Sequence, residues 1–174
     1  MQRNGERQAW YLIYTKPQQE QRARENLERQ GYVVYLPLMR VRRRRMGRPV
    51  ERVEPMFPRY LFVRLNATSD NWAPIRSTFG VTQLVRFGRD PARIPDDLVE
   101  VLQAASDSEG VCNAAPPPAD FRSGDTVRIR SGAFAGYAGI FQARTGQERV
   151  ILLLEVAGQV ARVKIREEDL DTPS

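Results

Sequence analysis

Between residues 40 and 48 the chain carries Arg40, Arg42, Arg43, Arg44, Arg45 and Arg48, six guanidinium groups in nine residues. A planar guanidinium donates two parallel hydrogen bonds and keeps its charge, so so dense a cluster suits a run of phosphates. Other groups able to do chemistry are sparse. The 174 residues include no histidine and one cysteine, Cys112. Without imidazole there is no His-based triad, no His general base and no Cys/His zinc site. A lone thiol excludes an internal disulfide framework and fits a reducing compartment. Glu167, Glu168, Asp169 and Asp171 form the best acidic group. They have no partner base and no metal-ligand spacing, and read as a solvated turn. The glycines from Gly132 to Gly139 follow neither Gly-x-Gly-x-x-Gly nor a Gly-Lys-Ser/Thr loop, so nucleotide binding has little support. The balance points to a binding protein, not an enzyme, with no cofactor and no metal.

Hydrophobic residues make up 41% of the chain and charged residues 28%, an ordinary globular mix, with a net charge of +6. The charge is uneven. Residues 1–102 carry 19 basic against 11 acidic side chains, a net +8, and residues 103–174 carry 8 against 10, a net −2. A basic first part facing a polyanion, joined to a slightly acidic second part, is the expected organisation. No apolar run approaches the roughly 18 residues of a membrane span. No apolar stretch follows the first residues as a secretory signal would, so a cytoplasmic protein without membrane contact is expected.

The elements that must position these groups follow from periodicity. Trp10–Tyr14 is an aromatic and β-branched strand. Gln18–Gln30 reads as an amphipathic helix, with Ala23 and Leu27 four apart and Gly31 past its end. Tyr32–Leu38 is a second strand, and Arg40–Arg52 the tip of a long hairpin turning at Met46–Pro49. Met56–Leu65 is the clearest strand, with Tyr60, Phe62 and Arg64 on one face. A short helix over Asp70–Ser77, a strand over Val81–Phe87 and a helix over Pro95–Ala105 complete an α+β arrangement, helices flanking a mainly antiparallel sheet. Residues 103–120 are small, polar and Pro-rich, a linker by composition. Beyond it, Thr126–Arg130, Tyr137–Ala143, Val150–Val156 and Gln159–Arg166 alternate like short strands between glycines, suggesting a small five-stranded barrel. The expected division is a first domain at 8–105, a linker at 106–120 and a second domain at 121–172.

The tail pattern Gly124-Asp125-x-Val127-x-Ile129-x-x-Gly132-x-Phe134-x-Gly136-x-x-Gly139-x-Phe141 resembles the KOW motif of ribosomal proteins and NusG-type transcription factors. The front end resembles the NusG amino-terminal (NGN) domain: Trp10-Tyr11-x-x-Tyr14, the helix from Gln18, Glu54-Pro55-Met56-Phe57-Pro58-x-Tyr60-Leu61-Phe62-Val63, and Gly80-Val81-x-x-x-Val85-x-Phe87-Gly88. Within the family the pattern is nearer the RfaH-type specialised antitermination paralogues, through Lys16, Leu27–Gln30, Val85–Gly88, Gly132-Ala133-Phe134 and Leu152–Leu154. It departs from them at Asp70–Ser77, which replaces a His-Thr-Thr-rich stretch, at Phe79, which stands where they have an arginine, and at Asn26.

The resemblance implies a transcription elongation and antitermination factor that reduces pausing and termination. Tyr14, Tyr60, Phe62 and Phe87 would line a pocket for the clamp helices of bacterial RNA polymerase. Lys16, Gln19, Arg22, Asn26 and Thr78 would face non-template DNA, with Arg42, Arg43, Arg44, Arg45 and Arg48 on its phosphates. The KOW barrel would recruit a small-subunit ribosomal protein or Rho. Alternatively the tail folds as an α-hairpin docked on the first domain, with Glu54–Arg149 as an interdomain ion pair and Tyr137 and Phe141 on the covering face. A monomer is expected. The other functional reading is a ribosome-associated or RNA-binding KOW protein, which the −2 charge of the second part disfavours.

Overall fold

The structure is a computed structural model that describes residues 8–66, 70–113 and 131–170. In chain order its elements are β1 (Gln8–Thr15), α1 (Glu20–Arg29), β2 (Val33–Tyr35), β3 (Leu38–Arg45), β4 (Arg48–Pro55), β5 (Tyr60–Asn66), α2 (Ala73–Arg76), β6 (Val81–Leu84), β7 (Arg86–Phe87), β8 (Asp90–Pro91), β9 (Arg93–Ile94), α3 (Asp96–Ala104), β10 (Val111–Asn113), α4 (Ser131–Gln142) and α5 (Gly146–Leu170). They fall into two units, one of residues 1–36, 59–95 and 153–174, the other of 37–58 and 96–152. The sheets that carry most of the strands are antiparallel, with helices flanking them, as the periodicity predicts.

In the first unit β1 is central. It pairs antiparallel with β5 from Gln8↔Asn66 to Tyr14↔Tyr60, with β6 along its second half, and with β9 at Trp10 and Tyr11. β2 adds to the far side of β5. Leu12, Ile13, Leu61, Phe62, Val63 and Leu65 are fully buried, so the middle of the β1–β5 pair is covered on both faces. Ala23 and Leu27 of α1 are likewise sealed. The helix stops at Gly31, whose φ of +93° lets its N–H reach Glu28 while the Tyr32 N–H returns to Leu27. Gly80 is the second glycine the fold requires. At φ +89° a Cβ there would lie 2.8 Å from the Ala23 nitrogen, so the loop after α2 rests directly on α1. Gly80→Ala is expected to cost about 2–3 kcal/mol through strain and overpacking, read as a lowered urea midpoint.

In the second unit β3 and β4 form the long hairpin, in register from Leu38↔Pro55 to Arg45↔Arg48. Its two-residue turn is Met46–Gly47, with φ +57° and +76°, the twist-matched type I′ geometry. The expected linker does not start at residue 106. Val111 and Cys112 are buried in β10, which runs parallel to β3 (Val111↔Leu38 to Asn113↔Arg40). The Ser106 hydroxyl lies 3.4 Å from the Cys112 sulfur, and Asp107 Oδ1 accepts from the Glu109 and Val111 amides. A far-off strand supplied the pairing that polar composition concealed.

The tail takes the helical alternative over its described residues. Tyr137–Ala143, Val150–Val156 and Gln159–Arg166, expected as barrel strands, fall in α4 and α5 and at the turn between them, while Thr126–Arg130 lies outside the described residues. Burial gives the reason. Arg149, Leu153 and Ala157, four apart, are 3%, 0% and 0% exposed, whereas Ile151 is 58% exposed. A strand would have put Ile151 and Leu153 on one face; a helix separates them. Gly136, Gly139 and Gly158 each weaken a helix by about 1 kcal/mol, and tertiary burial of the stripe offsets this.

Candidate functional site

β1 and β5 bring Tyr14 and Tyr60 directly opposite each other. Their rings stack 5.1 Å apart at 23°, both half-buried. Arg59 closes the stack with its guanidinium carbon 4.1 Å from the Tyr14 ring centre and its Nε donating to the Thr15 carbonyl at 3.1 Å. Its backbone sits at φ +72°, an unfavourable conformation for a side chain of this kind, held where the chain enters β5. Burial pushes the Tyr60 hydroxyl above its ordinary pKa, Tyr14 adds to that and Arg59 opposes it. Sequence reasoning missed Arg59, because only the β1–β5 register places it over Tyr14. Phe62 shares a strand face with Tyr60 but is fully buried, edge-on to Tyr35 at 5.9 Å. Phe87 is half-buried on β7, which pairs with β8, three residues beyond the last β6 partner of β1.

A second cluster lies along α1. Lys16 and Arg22 are exposed, and Gln19 and Asn26 half-buried. Asn26 donates to the Arg22 carbonyl at 2.8 Å and accepts from Arg29 at 3.5 Å. Gln30 donates to the Asn26 carbonyl and to the Thr78 hydroxyl, the latter at 2.8 Å. Thr78 is 6% exposed, and its hydroxyl also donates to the Pro74 carbonyl at 2.9 Å. Thr78 therefore braces the loop, and the next residue takes the outward position. Phe79 is 69% exposed, with the Arg22 guanidinium 5.3 Å from its ring centre.

On the hairpin Arg42, Arg43, Arg44, Arg45 and Arg48 are all exposed. Arg43 grips Glu54 with two bonds, Nε and Nη2 at 2.7 and 2.8 Å, and Arg42 lies 3.6 Å from Glu51. Arg40 is drawn back to Asp107 and Asn113. Arg44, Arg45 and Arg48 stand at the hairpin's end.

The expected Glu54–Arg149 pair is thus rearranged. The Arg43 hydrogen bonds are the main cause holding the Glu54 carboxyl below its ordinary pKa, and Arg52 and Arg149 add to this through space. Arg149 spends its Nε on the Met56 carbonyl at 2.7 Å and its Nη1 on Ala143 at 3.2 Å, capping the end of α4. Burial lowers its pKa, with Glu54 opposing. Tyr137 donates to Asp97 Oδ1 of α3 at 2.7 Å, and burial followed by that bond pushes its pKa up. Phe141 is 3% exposed.

The stacked, half-buried tyrosines thus lie on the β1–β5 pair, and Arg44, Arg45 and Arg48 are exposed at the tip of the β3–β4 hairpin. The described residues contain no group of acidic, thiol or imidazole side chains able to hold a metal, and no helix long and apolar enough to cross a membrane. The family model described as transcription termination factor nusG matches residues 8–103, and the chain belongs to this NusG family. It is 28% identical over 172 residues to the transcription termination/antitermination protein NusG of Thermus thermophilus, with 90% of this chain and 94% of that one covered. The NusG protein of Streptomyces griseus is 27% identical over 180 residues, covering 90% of this chain and 61% of its own. That of Staphylococcus aureus is 23% identical over 176 residues, covering 93% and 94%. A solved structure, "Domain interaction in Thermotoga maritima NusG", matches at a TM-score of 0.38 and 24% identity over 52% of each chain.

Proposed function

We propose that this chain binds the clamp helices of bacterial RNA polymerase through the Arg59–Tyr14–Tyr60 stack, with α1 and the arginine hairpin on nearby non-template DNA. The observation that carries this is the stacked tyrosine pair left half-open at the surface. Two large rings kept partly in water, with polar tips and a cation on one face, have the composition of an interface centre, not of a core. By binding the elongating state better than the paused one, the protein shifts the balance towards elongation and lowers pausing and termination. The helical tail, tied to α3 by Tyr137–Asp97 and to the residue after β4, at the base of the hairpin, by Arg149–Met56, supports an RfaH-type specialised member. In such a member the KOW segment would recruit a small-subunit ribosomal protein or Rho in its other conformation.

Transcription by purified bacterial RNA polymerase on a template with a pause site tests this. Adding the chain is expected to shorten the pause, and an unchanged pause lifetime would refute the reading. The DNA contribution is tested by salt titration. Replacing Arg44, Arg45 and Arg48 with Ser is expected to reduce the slope of log affinity against log salt by about 2–3, one unit per lost phosphate contact. An unchanged slope would clear the hairpin of phosphate contact.

A further inference from the structure

We propose that Asp107 and Glu109 act as an internal substitute for DNA phosphates, occupying Arg40 and confining DNA contact to the outer part of the β3–β4 hairpin. This rests on the proposed contact of the hairpin with DNA and concerns how that contact is limited. Arg40, Arg42 and Arg44 alternate along β3 and share one face of the ribbon, opposite Val53, Glu51 and Pro49 of β4. The three are not equally available. Among the described residues no carboxylate pairs with Arg44, and Arg42 lies 3.6 Å from Glu51 with both side chains mostly exposed. Arg40 is held from outside the hairpin. Its Nη2 lies 3.5 Å from Asp107 and 4.0 Å from Glu109, and its Nη1 donates to Asn113 Oδ1 at 3.4 Å.

The loop that supplies these oxygens is built to present them. Asp107 Oδ1 accepts from the Glu109 and Val111 amides at 2.8 and 3.1 Å, which leaves Oδ2 for Arg40. Gly110, at φ +78°, turns the chain back with its N–H on the Asp107 carbonyl. The Val111 amide is the main cause holding the Asp107 carboxyl below its ordinary pKa, and the Glu109 amide and Arg40 add to it, so the group is charged at neutral pH. Beyond the turn Val111 and Cys112 are buried in β10, and Asn113 pairs with Arg40 itself. Exposing those two side chains costs more than one solvated ion pair returns, so the loop stays seated when a polyanion arrives. A phosphate approaching Arg40 then meets the repulsion of fixed carboxylates. An ordinary surface ion pair needs one carboxylate. Here oxygens of three side chains from one short loop converge on a single guanidinium, as the oxygens of a phosphate would.

The full chain is titrated with a labelled DNA duplex of mixed sequence at several salt concentrations. Asp107→Asn with Glu109→Gln removes both charges and keeps the Asp107 oxygen that accepts the backbone amides. This double variant is expected to bind about three- to tenfold tighter at low salt. Its slope of log affinity against log salt should steepen by about one, the phosphate contact that Arg40 gains. Arg40→Ser should leave the slope of the native chain unchanged and, added to the double variant, should cancel its gain. Glu109→Gln alone, at a side chain 77% exposed, leaves the loop's hydrogen bonds intact and should give a smaller gain of the same kind. No gain from either variant overturns the proposal. So does a gain that survives Arg40→Ser, which would be general relief of charge. Cys112, 1% exposed and the only thiol of the chain, reports on β10 through its reaction with a thiol reagent. It should stay unreactive in the native chain with or without DNA, and a thiol uncovered by DNA would overturn a loop that stays in place. If the Arg44, Arg45 and Arg48 variant keeps the native slope, the hairpin reading falls and this inference with it. If that variant loses slope while the double variant behaves as the native chain, DNA contact stands and the acidic loop has no part in it.

Discussion

Replacing Tyr14 and Tyr60 together by alanine is expected to reduce the affinity for RNA polymerase by 100-fold or more while leaving the protein folded. Buried aromatic anchors at interface centres each carry about 2 kcal/mol or more, and two in contact lose about 3–4 kcal/mol together. The stack is partly solvated in the free chain, so its removal opens no sealed cavity. Copurification of polymerase by wild-type and doubly substituted chains reads the effect, and equal recovery would sink the clamp assignment. Phe62 is unsuitable for the same test despite sharing the strand face with Tyr60. It is fully buried, and its truncation would cost about 3–5 kcal/mol of stability, confounding binding with unfolding.

Arg149→Ala is expected to unseat the helical tail. Arg149 is 3% exposed, and its guanidinium bridges the Met56 and Ala143 carbonyls. Removing it strips two carbonyls of a charged donor and leaves a void, an effect of about 3 kcal/mol on a segment already weakened by interior glycines. The neighbouring geometry sharpens the expectation. A Cβ on Gly146 would sit 2.5 Å from Pro58 Cγ, so the start of α5 has one seat, fixed by that contact and by Arg149. Hydrogen exchange separates local from global failure. Amides of α4 and α5 should lose protection while those of β1 and β5 keep theirs. Retained protection across residues 137–157 would show that the arginine is dispensable and that apolar burial alone holds the helices.

Elements whose pattern is local were legible from the residues. β1 was visible in Trp10–Tyr14, α1 in the Ala23–Leu27 spacing and Gly31, and the hairpin in its run of arginines around Met46-Gly47. Charge also marked the hairpin correctly as exposed, since no core would hold Arg44, Arg45 and Arg48 without partners. Other features depended on what came from far along the chain. Tyr60 and Phe62 share a face by strand parity, yet only Phe62 is sealed. Thr78, expected to face DNA, is buried, because Gln30, 48 residues away, and the Pro74 carbonyl claim its hydroxyl. Glu54 takes Arg43 across the hairpin, so Arg149 binds carbonyls instead.

Residue order alone thus settled the family pattern, the periods of β1, α1 and the β3–β4 hairpin, and the position of the positive charge. These arise between neighbours a few residues apart, where backbone preference and side-chain spacing act directly. Folding in three dimensions settled which rings stay open, which carboxylate meets which guanidinium, and whether the glycine-rich tail is strand or helix. For that tail local preference and distant burial oppose each other, and the packing of Arg149, Leu153 and Ala157 outweighs the glycines.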